Sequence, residues 1–395
     1  MTSESTIGTA DRPLRVVIAG GGTGGHVSPG VAVIDELRAR LVVEPHWIGS
    51  RGGFEHETAE RMGIPFHPIQ VGKLRRYPSI NTLIDAGRIP VGVIQAWRHL
   101  RAIRPDLTFA TGGYVSTPVV IAGRSLGIPS MTHEQTAHVG LATRINARFV
   151  DVVALSYERS LAALGKTRAA FVVTGNPVRE LTCNGDAQAA FDRFCFAPDM
   201  PLVYVTGGAL GAHAINVAVS QALPDLLKCV QILHQCGPQT ANSDFTTLTD
   251  LAAGLPEDLR RRYHVVERVS DEIGDVFAAA SLVVGRAGAG TIAELAAAGL
   301  PAILIPLPGA EEQRQNALYL ADAGAALVID QRNLTPALLV ERITELIASP
   351  QRRSEMRAAG LRSVPPDPAA RIVDELLKLA PAASPSTDVT GTRSR

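Results

Sequence analysis

The sequence predicts an α/β protein made of two tandem Rossmann-like domains, and three observations carry that prediction. The chain has 395 residues, 46% of them hydrophobic and 19% charged. That is enough apolar material for large cores, and more length than one core usually absorbs. Short apolar, β-branched runs alternate with helical patterns, as parallel strands covered on both faces require. The pattern also restarts: RVVIAGGGTGGHVSPGVAVIDELRAR and PLVYVTGGALGAHAINVAVSQAL both read strand, glycine turn, helix.

In chain order, residues 1–12 are polar and aperiodic and are expected to be disordered. The first domain is expected over 13–179, with strands at 15–19, 46–49, 106–110, 130–132, 152–155 and 171–174. A break is expected near TGNPVRELT, where Asn176-Pro177 signals a turn. The second domain follows over 180–365, with strands at 202–206, 231–234, 264–267, 282–285, 302–306 and 326–329. A helix over 366–380 follows the prolines at 365–368 and is placed back on the first domain; residues 381–395 read as a disordered tail.

Composition narrows the function classes. Lys plus Arg and Asp plus Glu both number 38, which argues against a general nucleic-acid binder. No apolar run approaches the ~18–20 residues of a membrane span, and MTSESTIGTADRPLR lacks the apolar core of a secretory signal. Cys183, Cys195, Cys229 and Cys236 have neither metal-ligand nor disulfide-framework spacing, so a reduced cytoplasmic setting is expected.

Two glycine turns carry candidate chemistry. Residues 20–26 (GGGTGGH) sit between a strand and a helix, where small residues admit a phosphate to a helix N-terminus. Gly20-x-Gly22-x-x-Gly25 fits the dinucleotide fingerprint, but the second strand ends Ile48-Gly49-Ser50-Arg51 without the acidic residue a nicotinamide ribose needs. Arg51 suits a 2′-phosphate, so a nicotinamide enzyme stays as the alternative, beside a tight turn with no ligand. In the second half, Arg286-Ala287-Gly288-Ala289-Gly290-Thr291 leads into a helix that Thr291 is placed to cap. Glu294, one turn inside, suits two ribose hydroxyls; its bland role is a first-turn dipole partner. Gln313 and Asn316 share a helix face and suit sugar hydroxyls, or simply a solvated helix end.

Taken together, GGTGGHVSP, TGGYVSTPVV, HEQ, TGNPVR, HQCG, RAGAGTIAELAAAGLP and the Gln-x-x-Asn pair resemble the bacterial MurG-type transferases over roughly residues 14–380. That resemblance implies a glycosyltransferase-B fold with the site in the interdomain cleft. It implies an inverting enzyme that moves N-acetylglucosamine from its UDP donor to lipid I, giving lipid II for peptidoglycan. By position, Thr23, Gly24 and Gly25 match the loop facing the acceptor diphosphate and donor sugar, and His26 the proposed base. Arg179 matches the arginine on the donor diphosphate, and Val269 falls at the uracil wall. Ala289, Gly290 and Thr291 match the nucleotide loop, Glu294 the ribose carboxylate, and Gln313 and Asn316 the sugar-reading amides. Two substrate-binding positions depart from the pattern: Thr136 follows His133-Glu134-Gln135 where asparagine is usual, and Ala209 stands where a serine is usual. Those departures keep open a paralogue acting on another lipid-linked or antibiotic acceptor, and a non-catalytic UDP-sugar binder.

The chemistry expected of such a site is metal-independent. The chain has no Asp-x-Asp, so Arg179 and the helix start at residues 289–291 are assigned the leaving diphosphate, with no cofactor and no obligatory metal. An imidazole's ordinary pKa of ~6.5 suits a general base at neutral pH, so His26 is the candidate, with His133 and the candidate catalytic Glu134 in reserve. The acceptor implies peripheral contact with the inner leaflet. Lys73, Leu74, Arg75, Arg76, Tyr77 and Ile80 mix cations with apolar anchors, and the run 89–94, Trp97, Arg98, Arg101 and Arg104 extends them.

Overall fold

The computed structural model describes residues 7–72 and 80–380. β1 (Leu14–Gly20), β2 (Val43–Ser50), β3 (Phe66–Ile69), β4 (Leu107–Gly112), β5 (Ser130–Glu134), β6 (Val152–Leu155) and β7 (Ala170–Val173) form a seven-stranded sheet ordered β3-β2-β1-β4-β5-β6-β7. β8 (Leu202–Thr206), β9 (Gln231–Gln235), β10 (Tyr263–Val266), β11 (Ala280–Gly285), β12 (Ala302–Leu304) and β13 (Ala326–Val328) form a six-stranded sheet ordered β10-β9-β8-β11-β12-β13. Every strand pair is parallel. Helices therefore cover both faces, and alternate residues enter different cores: Val16 and Ile18 one, Val17 and Ala19 the other. This is why the strands read as continuous apolar runs.

β3 escapes the sequence reading because FHPI carries a proline. Its place at the sheet edge explains the tolerance, since an edge strand has ladder positions where a missing N–H costs nothing. Residues 7–12, expected to be disordered, instead turn back on the fold: Gly8 N–H donates to Arg12 O at 2.8 Å and Val42 N–H to Gly8 O at 2.9 Å.

The helix Pro368–Leu379 returns to the first domain. Its Ile372, Val373 and Leu376 join the core of Val16, Ile34 and Leu37, each such burial stabilising by about 1.5–3 kcal/mol. Arg40 also pairs with Asp374 at 2.6 Å. The two chain crossings touch at Gly175, whose φ is +84° and whose missing Cβ would lie 3.0 Å from Pro368 Cγ and 3.1 Å from Pro365 Cδ.

In each sheet the connections reverse direction between two central strands, β1 and β4 in the first, β8 and β11 in the second. Open parallel sheets bind ligands at the carboxyl ends of such strands. Both reversal points open on the same space.

Candidate active site

A cleft between the domains, of about 1320 Å³, is lined by the turns after β1, β5, β8 and β11. That exceeds the roughly 300–1000 Å³ of a pocket for one small ligand. Thr23, Gly24, Gly25, His26, Glu134, Thr136, Arg179, Ala209, Val269, Ala289, Gly290, Thr291, Glu294, Gln313 and Asn316 all line it. Lys73, Leu74, Arg75, Arg76 and Tyr77 lie outside the described residues, and Ile80 is the first residue of the helix Ile80–Ile103.

Glycine has two separate jobs in the first loop. A Cβ on Gly21 would fall 2.1 Å from Glu55 Cδ, so the fold itself demands glycine there. A Cβ on Gly24, or on Gly290 in the second domain, would meet nothing within 4 Å. Neither has a left-handed φ, so at both helix starts the bare backbone fronts open cleft rather than a packing partner. The helices Gly24–Arg40 and Ala289–Ala298 begin without a side-chain cap on Thr23 or Gly288, leaving first-turn N–H groups for an anion. Thr291, expected to cap, lies inside the second of these helices; Gly288 occupies the cap position.

Glu55 was not singled out from the sequence. Its fully buried carboxylate accepts from Gly22 N–H at 3.0 Å and Ser50 N–H at 3.0 Å, and bonds Ser50 Oγ. It braces the first loop from beneath. Its partner Gly22 is 33 residues away, so no local spacing reveals the link.

His26 is held by Nδ1, which lies 3.0 Å from Gln135 Oε1 and 3.1 Å from Thr111 O. The two residues held in reserve as bases are already engaged. Buried His133 bonds Gly175 O through Nε2 at 2.9 Å and Gln135 Nε2 through Nδ1 at 3.0 Å; burial pushes its pKa down to about 4. Glu134 accepts from Thr136 N–H at 3.1 Å and Gly140 N–H at 2.9 Å, with Thr136 Oγ1 at 2.7 Å. Its geometry suits holding the loop over residues 135–140 rather than taking a proton. Thr136 is thereby a member of that loop's internal bonding, its Oγ1 also 2.6 Å from His138 O.

In the second domain Gln235 binds several parts of the wall at once. Its Nε2 donates to Gly208 O at 2.9 Å, and its Oε1 accepts from Val269 N–H at 3.0 Å and Tyr204 O–H at 2.8 Å. The turn carrying Ala209 is thus tied to the Val269 segment. Glu294 is half-buried; burial raises its pKa to about 7 and nearby Arg179 pulls it the other way. Gln313 accepts from Leu307 N–H at 3.1 Å and is partly exposed. Asn316 is fully buried, accepting from Ala137 N–H at 3.2 Å and donating to Ala287 O at 3.2 Å.

Both domains have counterparts among known proteins. Residues 16–155 match the glycosyltransferase family 28 N-terminal domain and residues 202–370 its C-terminal domain. A protein of Lachnospira eligens named UDP-N-acetylglucosamine–N-acetylmuramyl-(pentapeptide) pyrophosphoryl-undecaprenol N-acetylglucosamine transferase is 36% identical over 337 residues, spanning 85% of this chain and 91% of that one. Its namesake in Treponema pallidum is 37% identical over 335 residues, covering 84% and 86%. The crystal structure of Acinetobacter baumannii MurG superposes with a TM-score of 0.71 at 29% identity, covering 93% of this chain and all of that one. A kitacinnamycin glycosyltransferase reaches a TM-score of 0.69 at 17% identity, which is a likeness of fold.

Proposed function

The chain belongs to glycosyltransferase family 28, and on that premise we propose that it transfers N-acetylglucosamine from UDP to the N-acetylmuramyl-pentapeptide carried on undecaprenyl diphosphate, converting lipid I to lipid II for peptidoglycan synthesis. The observation that carries this reading is the meeting of both sheets' reversal points in one cleft large enough for two substrates.

The roles follow from what each group offers. UDP lies along the second domain, its ribose hydroxyls donating to Glu294 and its uracil against Val269. The partly exposed Gln313 reads the sugar. The acceptor diphosphate meets the uncapped helix start at Thr23, Gly24 and Gly25. An acceptor hydroxyl attacks the anomeric carbon, and His26 Nε2 takes its proton as the bond to the β-phosphate oxygen breaks. Negative charge growing on UDP is met by Arg179 and by the N–H groups of Gly290 and Thr291, fixed dipoles that need no reorganisation.

Among the described residues no helix is long and apolar enough to cross a membrane. Contact with the inner leaflet, at the cytoplasmic face, is assigned to the helix Ile80–Ile103. Val91, Ile94 and Trp97 are exposed on it, with the Arg101 guanidinium 5.4 Å from the Trp97 ring centre. Amphipathic surface of this kind sits at a headgroup boundary, near the diphosphate of a lipid-linked acceptor.

The test uses the full chain, labelled UDP-N-acetylglucosamine and a short-prenyl lipid I analogue. Lipid II and UDP should form in equal amounts. UDP release with some other lipid-linked acceptor, and none with lipid I, would move the enzyme to a different branch of cell-envelope chemistry.

A further inference from the structure

We propose that Gln135 is the positioning residue for His26, locking the ring as its Nδ1–H tautomer and so reserving the bare Nε2 for the acceptor proton. This rests on the reading of His26 as the base. It goes beyond it by assigning which nitrogen carries the hydrogen, and which residues decide that.

The assignment follows from counting donors and acceptors. Gln135 is buried, and its Nε2 lies 2.7 Å from Thr111 O, 3.2 Å from His133 O and 3.0 Å from His133 Nδ1. Two of those neighbours are carbonyl oxygens, which only accept, so the NH₂ end of the amide must face them. The carbonyl end, Oε1, is then the atom 3.0 Å from His26 Nδ1. Thr111 O, the second atom near Nδ1, is also an acceptor. A neutral imidazole has one N–H, and here Nδ1 faces two acceptors and no donor. The hydrogen belongs on Nδ1. Among the described residues nothing bonds Nε2, and His26 lines the cleft.

The direction of the chain is itself fixed from behind. His133 is fully buried and Nε2 faces the Gly175 carbonyl, so it carries its hydrogen there and accepts at Nδ1. Reversing the Gln135 amide would set its oxygen against that lone pair and against two carbonyls. The order therefore runs from a backbone carbonyl between the domains, through His133 and Gln135, to the ring that takes the proton. Gly112 and Gly113 complete the holder: a Cβ on either would lie 3.3 Å from His26 Nδ1 or 3.1 Å from His26 Cδ2.

The test is a long-range proton–nitrogen correlation spectrum of the full chain with ¹⁵N-labelled histidine, with His26 assigned by its loss in His26→Ala. His26 should show a protonated Nδ1 and a bare Nε2, the less common form of a neutral histidine. A protonated Nε2 overturns the proposal. Gln135→Met keeps the length of the side chain and removes the amide. It should mix the two tautomers and lower kcat roughly tenfold, a fraction of what a general base contributes, while leaving KM for the UDP-sugar unchanged. An unaltered tautomer and kcat in Gln135→Met would also overturn it. Failure of the base reading shows elsewhere, as full activity in His26→Ala, and would leave the tautomer result standing.

Discussion

The backbone N–H of Ala137, in the loop after β5 of the first domain, donates to the Oδ1 of Asn316 in the second at 3.2 Å. The same amide donates from Nδ2 to Ala287 O, so both ends of a buried side chain are spent on holding the cleft walls together. In this structure Asn316 is a clasp between the domains, and reading a sugar would require its contact with Ala137 to open.

Asn316→Ala leaves the half-buried Ala137 N–H and the buried Ala287 carbonyl without this partner, a loss of about 1–3 kcal/mol for the buried group. Urea unfolding should therefore show a lower midpoint, with KM for the UDP-sugar raised as well. Gln313→Ala, at a partly exposed position, should raise that KM and leave the unfolding free energy within about 0.5 kcal/mol of the parent. Equal stability of the two variants would remove the clasp.

Glu294 gives a pH dependence. Burial raises its pKa to about 7 against Arg179, so the unliganded folded protein binds a proton there that the unfolded chain releases near its ordinary 4.5. Stability from this group is present below the unfolded value and declines as pH rises through about 7. UDP binding runs the other way, because the ionised carboxylate is the better acceptor for ribose hydroxyls. Calorimetry should show affinity for UDP rising as pH increases through about 7, with proton release detected between buffers of different ionisation enthalpy. Glu294→Gln should flatten that dependence, bind UDP at least about tenfold more weakly at pH 8, and stabilise the unliganded protein there by ~1–3 kcal/mol.

Much of this was legible in the sequence because both parts of the signal are local. A parallel strand declares itself by a continuous apolar run, and a nucleotide turn by its small residues at a strand-to-helix junction. Periodicity says nothing about partners at long range, and that is where the reading stops. Glu55 braces a loop 33 residues away, and Asn316 reaches Ala137 across 179. His133 and Glu134 looked like spare bases because residue type was visible and bonding was not. β3 was hidden by Pro68, whose tolerance depends on an edge position that only the assembled sheet defines.

Glu55 should act on the acceptor half of the reaction. In Glu55→Gln one oxygen can still serve Ser50, but the amide NH₂ then faces the Gly22 N–H, donor against donor. A loss of about 1–3 kcal/mol in unfolding free energy is expected. KM for the lipid acceptor should rise as the first loop loosens, with UDP affinity unchanged because the proposed donor site lies in the other domain. A parallel loss of UDP affinity would mean that the loop and the donor site are mechanically one unit.

The surface of the helix Ile80–Ile103 provides the last prediction. Ile94 is 55% exposed and Trp97 37%, so replacing them should not disturb the core. Ile94→Glu with Trp97→Glu should weaken binding to vesicles of mixed neutral and anionic lipid at low and high salt alike, because what is lost is apolar insertion. Reversing Arg98 and Arg101 to glutamate instead removes charge attraction, about 1 kcal/mol per cation near an anionic surface. That loss should fade as salt rises, since the screening length falls from ~10 Å at 0.1 M to ~3 Å at 1 M. Both variants should keep wild-type turnover on a water-soluble acceptor analogue, where no surface is involved. Normal vesicle binding by both would assign the membrane contact to a different face, and loss of turnover on the soluble acceptor would make this helix a support of the cleft.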